Sequence, residues 1–305
     1  MRLGAALLAA WPMGAATYWV LLAGLGGEPE YEQRFAAWVR EAEKIGRASA
    51  DAHVSVLSGR EATAVAIRSL LGELSRRIRP EDSFVLLLVG HGSFDGQQYK
   101  FNIPGPDLSG DDLAALLAAI TATRQLVVNT TSASGASLEP LRKPGRIVIT
   151  ATKSGMEKNA TVFARYWIEA LRDAAADADK NDALTALEAF RYASQKTARF
   201  YESQKRLATE HPLLEDTGQG AGVRSPDPAG GSGRLAAAFV LLRSAQAQAA
   251  ARDPARRALL ARKEALEQEI DLLKYRKAAM DGAEYRKRLT ALLVELARVN
   301  EELEK

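Results

Sequence analysis

The sequence contains no cysteine among its 305 residues. This absence excludes a disulfide framework, a thiolate metal site and a cysteine nucleophile. An excess of either charge is also missing, because 41 lysines and arginines stand against 38 aspartates and glutamates and no polybasic block occurs. The charge balance therefore predicts no nucleic-acid partner. With 47% apolar and 26% charged residues, the composition is that of a folded protein whose chemistry does not use a thiol.

The N-terminal residues 3–27 carry no charge and follow a single arginine, Arg2. The first part of this segment has the apolar middle and the small-residue end of a signal peptide, so we expect residues 1–16 to be removed and the protein to be exported, periplasmic or extracellular. The alternatives are an uncleaved anchor, which alone would bring the protein to a membrane, and a cytoplasmic start. The second part, residues 18–22, is aromatic and branched and predicts a buried strand.

Short apolar runs alternate with helical patterns along most of the chain. This alternation predicts right-handed crossovers and a mainly parallel six-stranded sheet covered on both faces, which is a three-layer α/β/α domain over residues 17–243. The predicted strands are residues 18–22, 53–57, 84–89, 125–129, 146–151 and 237–242.

Two later segments differ from this pattern. Residues 216–233 are rich in glycine and lose periodicity, which predicts a flexible loop. Residues 254–305 place apolar side chains at heptad spacing on both sides of a break at residues 281–282, which predicts an α-helical hairpin or coiled coil. Because isolated helices of this length are marginal in water, we expect the hairpin to dock on the α/β domain or to mediate self-association.

Two strand ends carry the candidate chemistry. His91 stands between two glycines just after residues 84–89, and a turn rich in serine and threonine follows residues 125–129. In an open parallel sheet, sites form beyond the carboxyl ends of strands. A histidine base that faces a hydroxyl beside backbone donors is the arrangement used in acyl transfer. From spacing alone, a structural His91 at the strand end is an equally good interpretation.

These strand ends resemble those of the caspase and legumain-type cysteine peptidases. In that family an aliphatic strand ends in His-Gly, and a second ends in Asp/Glu-Ala-Cys-x-Ser-Gly. Aligning the final Ser-Gly on residues 134–135 places the cysteine position at Ser132. The resemblance covers roughly residues 17–242 and is nearest to bacterial legumain-like exported proteins. It implies the caspase-type α/β/α fold, with His91 and Ser132 as the catalytic pair and the Gly92 N–H as oxyanion donor.

The serine at the nucleophile position changes what the resemblance implies about activity. A thiol is intrinsically nucleophilic, whereas a serine hydroxyl needs a base in direct hydrogen-bond contact. The family's histidine typically stands too far from the sulfur for that contact. We therefore expect a degenerate peptidase that acts as a binding or scaffold module for a peptide or protein partner. The alternatives are a hydrolase that uses Ser132 with His91, and a different site on the same fold.

Other polar residues are weaker candidates. Lys153, Glu157 and Asn159 follow the fifth predicted strand, where related proteins shape the pocket for the residue before the cleaved bond, and the alternative interpretation is a surface loop. His211 is expected to be a hydrogen-bonded loop histidine.

An acidic stretch has the spacing of a calcium loop. Asp177, Asp179, Asn181, Thr185 and Glu188 occupy positions 1, 3, 5, 9 and 12 of that loop. Position 6, which needs glycine for a sharp turn, is Asp182. We favour an acidic helix start with Asp182 near the N-cap. No metal and no cofactor are expected.

Overall fold

The computed structural model describes residues 15–49, 51–244, 253–275, 277 and 280–304. Most of the predicted signal peptide, residues 1–14, lies outside the described residues. The strands are β1 (Thr17–Ala23), β2 (Ala52–Ser58), β3 (Ser83–Val89), β4 (Gly92–Phe94), β5 (Tyr99–Phe101), β6 (Leu108–Ser109), β7 (Arg124–Asn129), β8 (Arg146–Thr150), β9 (Ala183–Thr185), β10 (Leu213–Glu215) and β11 (Val240–Arg243). The helices are α1 (Pro29–Ala48), α2 (Ala64–Arg77), α3 (Gly110–Ala118), α4 (Leu138–Leu141), α5 (Phe163–Ala170), α6 (Ala186–Ser203), α7 (Arg234–Ala238), α8 (Pro254–Tyr275) and α9 (Gly282–Glu304).

The central sheet has six strands in the order β10-β8-β7-β3-β1-β2. All neighbours run parallel except β10, which is antiparallel to β8. One apolar cluster packs α1, α5 and α6 against one face, and a second packs α2 and α3 against the other. The predicted three-layer α/β/α class is therefore confirmed. The strand order changes direction between β1 and β3, which is where the topology predicts a ligand crevice.

The prediction of a sixth sheet strand at residues 237–242 is wrong. Helix α7 ends at Ala238, and β11 pairs with β9 in a separate two-stranded sheet. The sixth strand is β10 instead, and it has only three residues. A strand this short gives no period-2 pattern over enough residues to be recognised, whereas the apolar run at 237–242 gave a false signal.

The glycine-rich segment 216–233 has little regular structure, but buried carboxylates tie its ends down. The Asp216 carboxylate accepts hydrogen bonds from the backbone N–H groups of Gly233 at 2.7 Å and Leu235 at 2.8 Å, so it occupies the N-terminus of α7. The neighbouring Glu215 carboxylate accepts from the N–H of Gly220 at 3.1 Å. The prediction of a flexible loop missed these anchors, because a carboxylate that binds its own loop leaves no periodic signature.

The start of α6 is fixed by side-chain caps. Thr185 is the N-cap: its hydroxyl accepts from the Glu188 N–H, and the Glu188 carboxylate accepts from the Thr185 N–H. This is a capping box, in which two otherwise unpaired backbone donors are satisfied. Asp182 lies three residues earlier, with a φ of 70°.

The C-terminal helices α8 and α9 pack against each other, as the heptad pattern predicts. The hairpin is joined to the α/β domain by Arg243, whose Nη2 donates to Glu264 Oε2 at 2.8 Å, and by Lys263, whose Nζ donates to the Asn181 carbonyl at 3.3 Å. Within the described ranges, none of the helices combines the length and the apolar character needed to cross a bilayer. The buried seam consists of Leu266, Ile270, Leu273 and Val299.

Candidate functional site

The candidate site lies at the carboxyl edge of the sheet, where the loops after β1, β3, β7 and β8 meet. The small sheet β4-β5-β6 connects two of these loops. The Asn102 N–H donates to the His91 carbonyl at 3.1 Å, while the Asn102 carbonyl accepts from the Leu25 N–H at 3.0 Å. The β3 loop is therefore fixed relative to the β1 loop at the point where the strand order changes direction. The sequence pattern did not predict this small sheet.

The His91 ring packs into an aromatic niche on α1. It meets Tyr31 edge-on at 4.9 Å between ring centroids and Phe35 at 5.2 Å. Burial lowers the pKa of His91, and a hydrogen bond with the Gly26 backbone and the charge of Glu28 oppose that shift only in part. Burial therefore favours the uncharged imidazole, which is held by helix α1 and the β1 loop.

Ser132 is 2% exposed, and the hydrogen bonds of its hydroxyl go to a single residue. Its Oγ accepts from the Gly92 N–H at 3.1 Å and donates to the Gly92 carbonyl at 3.0 Å. A Cβ at position 92 would lie 2.5 Å from the Ser132 carbonyl oxygen, so this approach requires glycine. The structure thus brings Ser132 and Gly92 together, and the N–H predicted to be an oxyanion donor is occupied by the Ser132 hydroxyl itself.

His91 and Ser132 share this edge of the sheet without forming a catalytic contact. In the part of the chain that the structure describes, no hydrogen bond joins the two side chains, and the Ser132 proton points to the Gly92 carbonyl. A serine nucleophile gives its proton to a base that it touches. As it stands, the arrangement positions a hydroxyl but does not activate it.

A buried hydrogen-bond network supports the turn that carries Ser132. The Tyr99 hydroxyl lies 2.7 Å from Thr131 Oγ1 and 3.3 Å from Asn129 Oδ1, and Asn129 Nδ2 donates to Ser137 Oγ at 2.9 Å. Burial raises the pKa of Tyr99 well above its usual value. Buried polar groups with their partners present rigidify a site. The sequence analysis missed Tyr99 because it belongs to no motif and lies on the unpredicted strand β5.

Other hydroxyls in and beside this turn also make hydrogen bonds within the protein. Ser134 Oγ accepts from the N–H groups of Ala151 and Thr152, both at 3.1 Å, and Thr152 Oγ1 accepts from the Gly135 N–H at 2.8 Å. Ala133 adopts a left-handed φ of 56° between these anchors. The serine-rich turn therefore joins the ends of β7 and β8 instead of presenting free hydroxyls.

The three pocket candidates after β8 have different environments. The Glu157 carboxylate accepts from the Lys153 N–H at 2.9 Å and from the His211 N–H at 3.1 Å, and it also contacts His211 Nδ1. The Glu157 carbonyl accepts from the Ala133 N–H at 2.8 Å. Glu157 therefore faces inward and positions the Ser132 turn, whereas Lys153 and Asn159 are exposed. The prediction that His211 is a hydrogen-bonded loop histidine is confirmed.

Glu210 is a buried carboxyl that the sequence analysis did not single out. It accepts from the Val162 N–H at 2.7 Å, the Phe163 N–H at 3.1 Å and the Tyr201 hydroxyl at 2.9 Å. Burial raises its pKa to about 7, although these donors act in the opposite direction. Glu210 thus holds the start of α5 beside the Glu157–His211 pair. Glu210 lies just before the short strand β10, and no sequence motif around it indicated a buried carboxyl.

The acidic stretch forms a compact turn ahead of α6. Carboxylate oxygens of Asp177, Asp179 and Glu188 lie within 4.8 Å of one another. Burial, followed by the charge of Glu188, raises the pKa of Asp179 to about 6. Each carboxylate also accepts a backbone N–H: Asp177 from Asp182 at 3.0 Å, Asp179 from Asn181 at 3.1 Å, and Glu188 from Ala178 at 3.0 Å. The calcium-loop and helix-start interpretations both remain predictions, and the backbone bonds account for the turn.

Comparisons with known proteins found solved structures that are similar to this chain at 10–13% identity. A structural-genomics target protein from Geobacter sulfurreducens is 13% identical, with a TM-score of 0.47, and the match covers 71% of this chain and 96% of that chain. The Drosophila initiator caspase Dronc is 10% identical, with a TM-score of 0.44, over 67% of this chain and 80% of that chain. Caspase-1 from Spodoptera frugiperda is 10% identical, with a TM-score of 0.46, over 67% of this chain and 87% of that chain.

No protein-family model matches the chain, and no curated protein matches it. The structural similarity at these scores carries no argument about activity.

Proposed function

We propose that this chain is an exported protein of the caspase and legumain type whose peptidase site is degenerate, and that it binds a peptide or protein partner as a scaffold module. The observation that carries the proposal is the hydrogen bonding of Ser132. Both hydrogen bonds of its hydroxyl go to the backbone of Gly92. The hydroxyl is thus a structural tie between the ends of β3 and β7.

The environment of His91 supports the same proposal. A base for a serine nucleophile needs a third group that orients it toward the hydroxyl. The neighbours of the His91 ring are the aromatic side chains of Tyr31 and Phe35 and the backbone of Gly26. Within the described residues no carboxylate is hydrogen-bonded to the ring. The charge of Glu28 favours the imidazolium, but burial outweighs it, so proton abstraction by His91 would be slow.

A surface for an extended partner lies beside this edge. Residues 153–159 border the strand β4, since a Cβ at Gly155 would lie 2.3 Å from the Phe94 ring. Met156 is 72% exposed on this loop, and the exposed Lys153 and Asn159 flank it. An exposed apolar side chain between polar neighbours, on a loop fixed by buried bonds, suits a peptide partner.

The second candidate function is a hydrolase that uses Ser132 with His91 for acyl transfer. The observation in its favour is that the Gly92 N–H, the predicted oxyanion donor, lies 3.1 Å from Ser132 Oγ. Activity of this kind would require the Ser132 hydroxyl to leave the Gly92 carbonyl and turn toward His91.

A mixture of internally quenched peptides tests the proposal in two steps. We expect cleavage by the parent chain to equal that of the His91→Ala variant, because the proposed site does not transfer protons. We also expect the uncleaved peptides to slow hydrogen exchange at residues 92–94 and 154–159. Cleavage that depends on His91 would contradict the degenerate site, and unchanged exchange at both segments would contradict the binding role.

A further inference from the structure

The two edge strands of the central sheet differ in whether their outer backbone groups are hydrogen-bonded. The outer edge of β10 is closed, because Leu214 and Val223 exchange two backbone hydrogen bonds of 2.9 Å each. The other edge is β2, which is seven residues long. Among the described residues, no strand pairs with the outer side of β2. An unpaired strand edge is a template for another strand.

Strand β2 lacks the features that usually block such pairing. Its sequence, Ala-His-Val-Ser-Val-Leu-Ser, contains no lysine, no acidic residue and no proline, and its burial is intermediate along most of its length. Natural edge strands are commonly protected by charges, proline or a bulge. The register with β1 is continuous over all seven residues, so no bulge is present. The strand therefore lacks these protective features and is partly exposed along its length.

The backbone groups that point outward can be identified from the hydrogen bonds. The Asp51 carbonyl accepts from the Thr17 N–H of β1, so odd-numbered residues turn their backbone groups inward. Even-numbered residues turn theirs outward, in agreement with the Val54 carbonyl, which accepts from the Arg47 guanidinium. That bond is 3.4 Å long and comes from an exposed side chain, so a backbone donor can replace it.

We propose that a second copy of this chain pairs with β2 in antiparallel fashion, so that the two central sheets become one continuous sheet across a twofold axis at Ser55. In this register Val54 lies opposite Val56, and His53 lies opposite Leu57. Cross-strand pairs of β-branched residues stabilise antiparallel strands, and no like charges face each other. An isologous contact of this kind closes on itself and, over the described residues, leaves the central sheet with no further unpaired edge.

The charges at the two ends of the strand favour a second copy in this orientation. Asp51 precedes the strand and Arg60 follows it, and both are exposed. Antiparallel pairing about Ser55 brings Asp51 of each copy opposite Gly59 of the other, next to the oppositely charged Arg60. Glu61 lies one residue further on, outside this contact. A parallel arrangement would place identical charges together, so the ends select the antiparallel one.

A charge-swap experiment with the full chain tests this proposal by sedimentation velocity. The parent should sediment as a dimer over a concentration series. Ser55→Lys and Ser55→Glu should each be monomeric, with the dissociation constant raised at least about tenfold, because two like charges meet at the axis. An equimolar mixture of the two variants should sediment as a dimer again. This recovery also shows that both variants are folded.

Two controls complete the experiment. Val65→Lys introduces a lysine at a residue on α2 that is 78% exposed and should leave the dimer unchanged. Leu293→Glu changes an exposed residue of the hairpin and should also leave it unchanged. A parent that is monomeric throughout the series, or a dimer that survives Ser55→Lys, would overturn the proposal. Dissociation by Leu293→Glu alone would assign self-association to the hairpin instead.

Discussion

At the scale of single residues, Ser132 gives a direct prediction because its hydroxyl is buried and both of its hydrogen bonds go to the Gly92 backbone. Ser132→Ala leaves the Gly92 N–H and carbonyl without partners in a buried site, so we expect a loss of about 1–3 kcal/mol in the free energy of unfolding. Urea denaturation measures this loss. Val65→Ala, on the exposed face of α2, is the control and should change little. Unchanged stability in Ser132→Ala would contradict the structural role of the hydroxyl.

The raised pKa of Glu210 predicts how the free energy of unfolding depends on pH. Its pKa is raised from 4.5 to about 7 in the folded protein, so the folded state holds a proton that the unfolded state has lost. The stability contributed by this group is complete below about 4.5 and is lost as the pH rises through about 7. We expect Glu210→Gln to remove this part of the pH dependence in urea denaturation. The contrary result is a variant whose free energy of unfolding falls with pH as steeply as that of the parent.

The residue scale also shows what a sequence can predict about a site. His91, Gly92 and Ser132 were predicted to share one edge because they follow neighbouring parallel strands, and the structure brings them there. The direction of the Ser132 proton depends on a distance between two loops, which no local pattern encodes. Glu210 and Tyr99 were missed for the same reason, since their partners are distant in the sequence.

At the scale of elements, the capping box of α6 gives a clear test. Thr185→Ala removes the N-cap acceptor and should cost about 1 kcal/mol of stability. Thr185→Ser keeps the hydroxyl and should retain most of it. Urea denaturation of the two variants distinguishes the cap from general packing. Equal losses in both variants would show that the methyl group, and not the hydroxyl, is important.

The response of the acidic turn before α6 to calcium distinguishes the helix-start interpretation from the calcium-loop interpretation. As a helix start held by its own backbone bonds, it should give the same melting temperature with millimolar calcium and with a chelator. Asp177→Ala, which removes the acceptor of the Asp182 N–H, should then lower the melting temperature equally in both conditions. A calcium-dependent rise in the parent that Asp177→Ala abolishes would establish the calcium loop instead.

Elements were predictable where their periodicity was long. The helices α1 and α2 and the buried strands β1, β3, β7 and β8 all carry clear patterns, and the structure confirms them. The short strands β4, β5, β6 and β10 do not, because two or three residues in a strand are fixed by partners from elsewhere in the chain. The error at residues 237–242 arose because an apolar run was assigned to the sheet by composition alone.

At the scale of the whole molecule, an ion pair is one of the contacts that join the C-terminal hairpin to the α/β domain. Glu264 joins the hairpin to Arg243 in the α/β domain, whereas Glu295 joins α9 to Arg262 within the hairpin. We expect Glu264→Ala to increase proteolysis near the start of α8 while the α/β domain stays intact. Glu295→Ala is the matched control, since it leaves Arg243 paired. Equal protection of parent and Glu264→Ala would contradict attachment through this pair.

We propose that the molecule keeps the framework of a peptidase site without an activated nucleophile. The most direct test is to treat the full chain with a fluorophosphonate, which reacts with activated serines, and to measure the intact mass. Because Ser132 donates its proton to the Gly92 carbonyl and not to His91, we predict that the mass is unchanged in both the parent and His91→Ala. Stoichiometric modification of Ser132 in the parent, lost in His91→Ala, would contradict this account and establish the serine hydrolase.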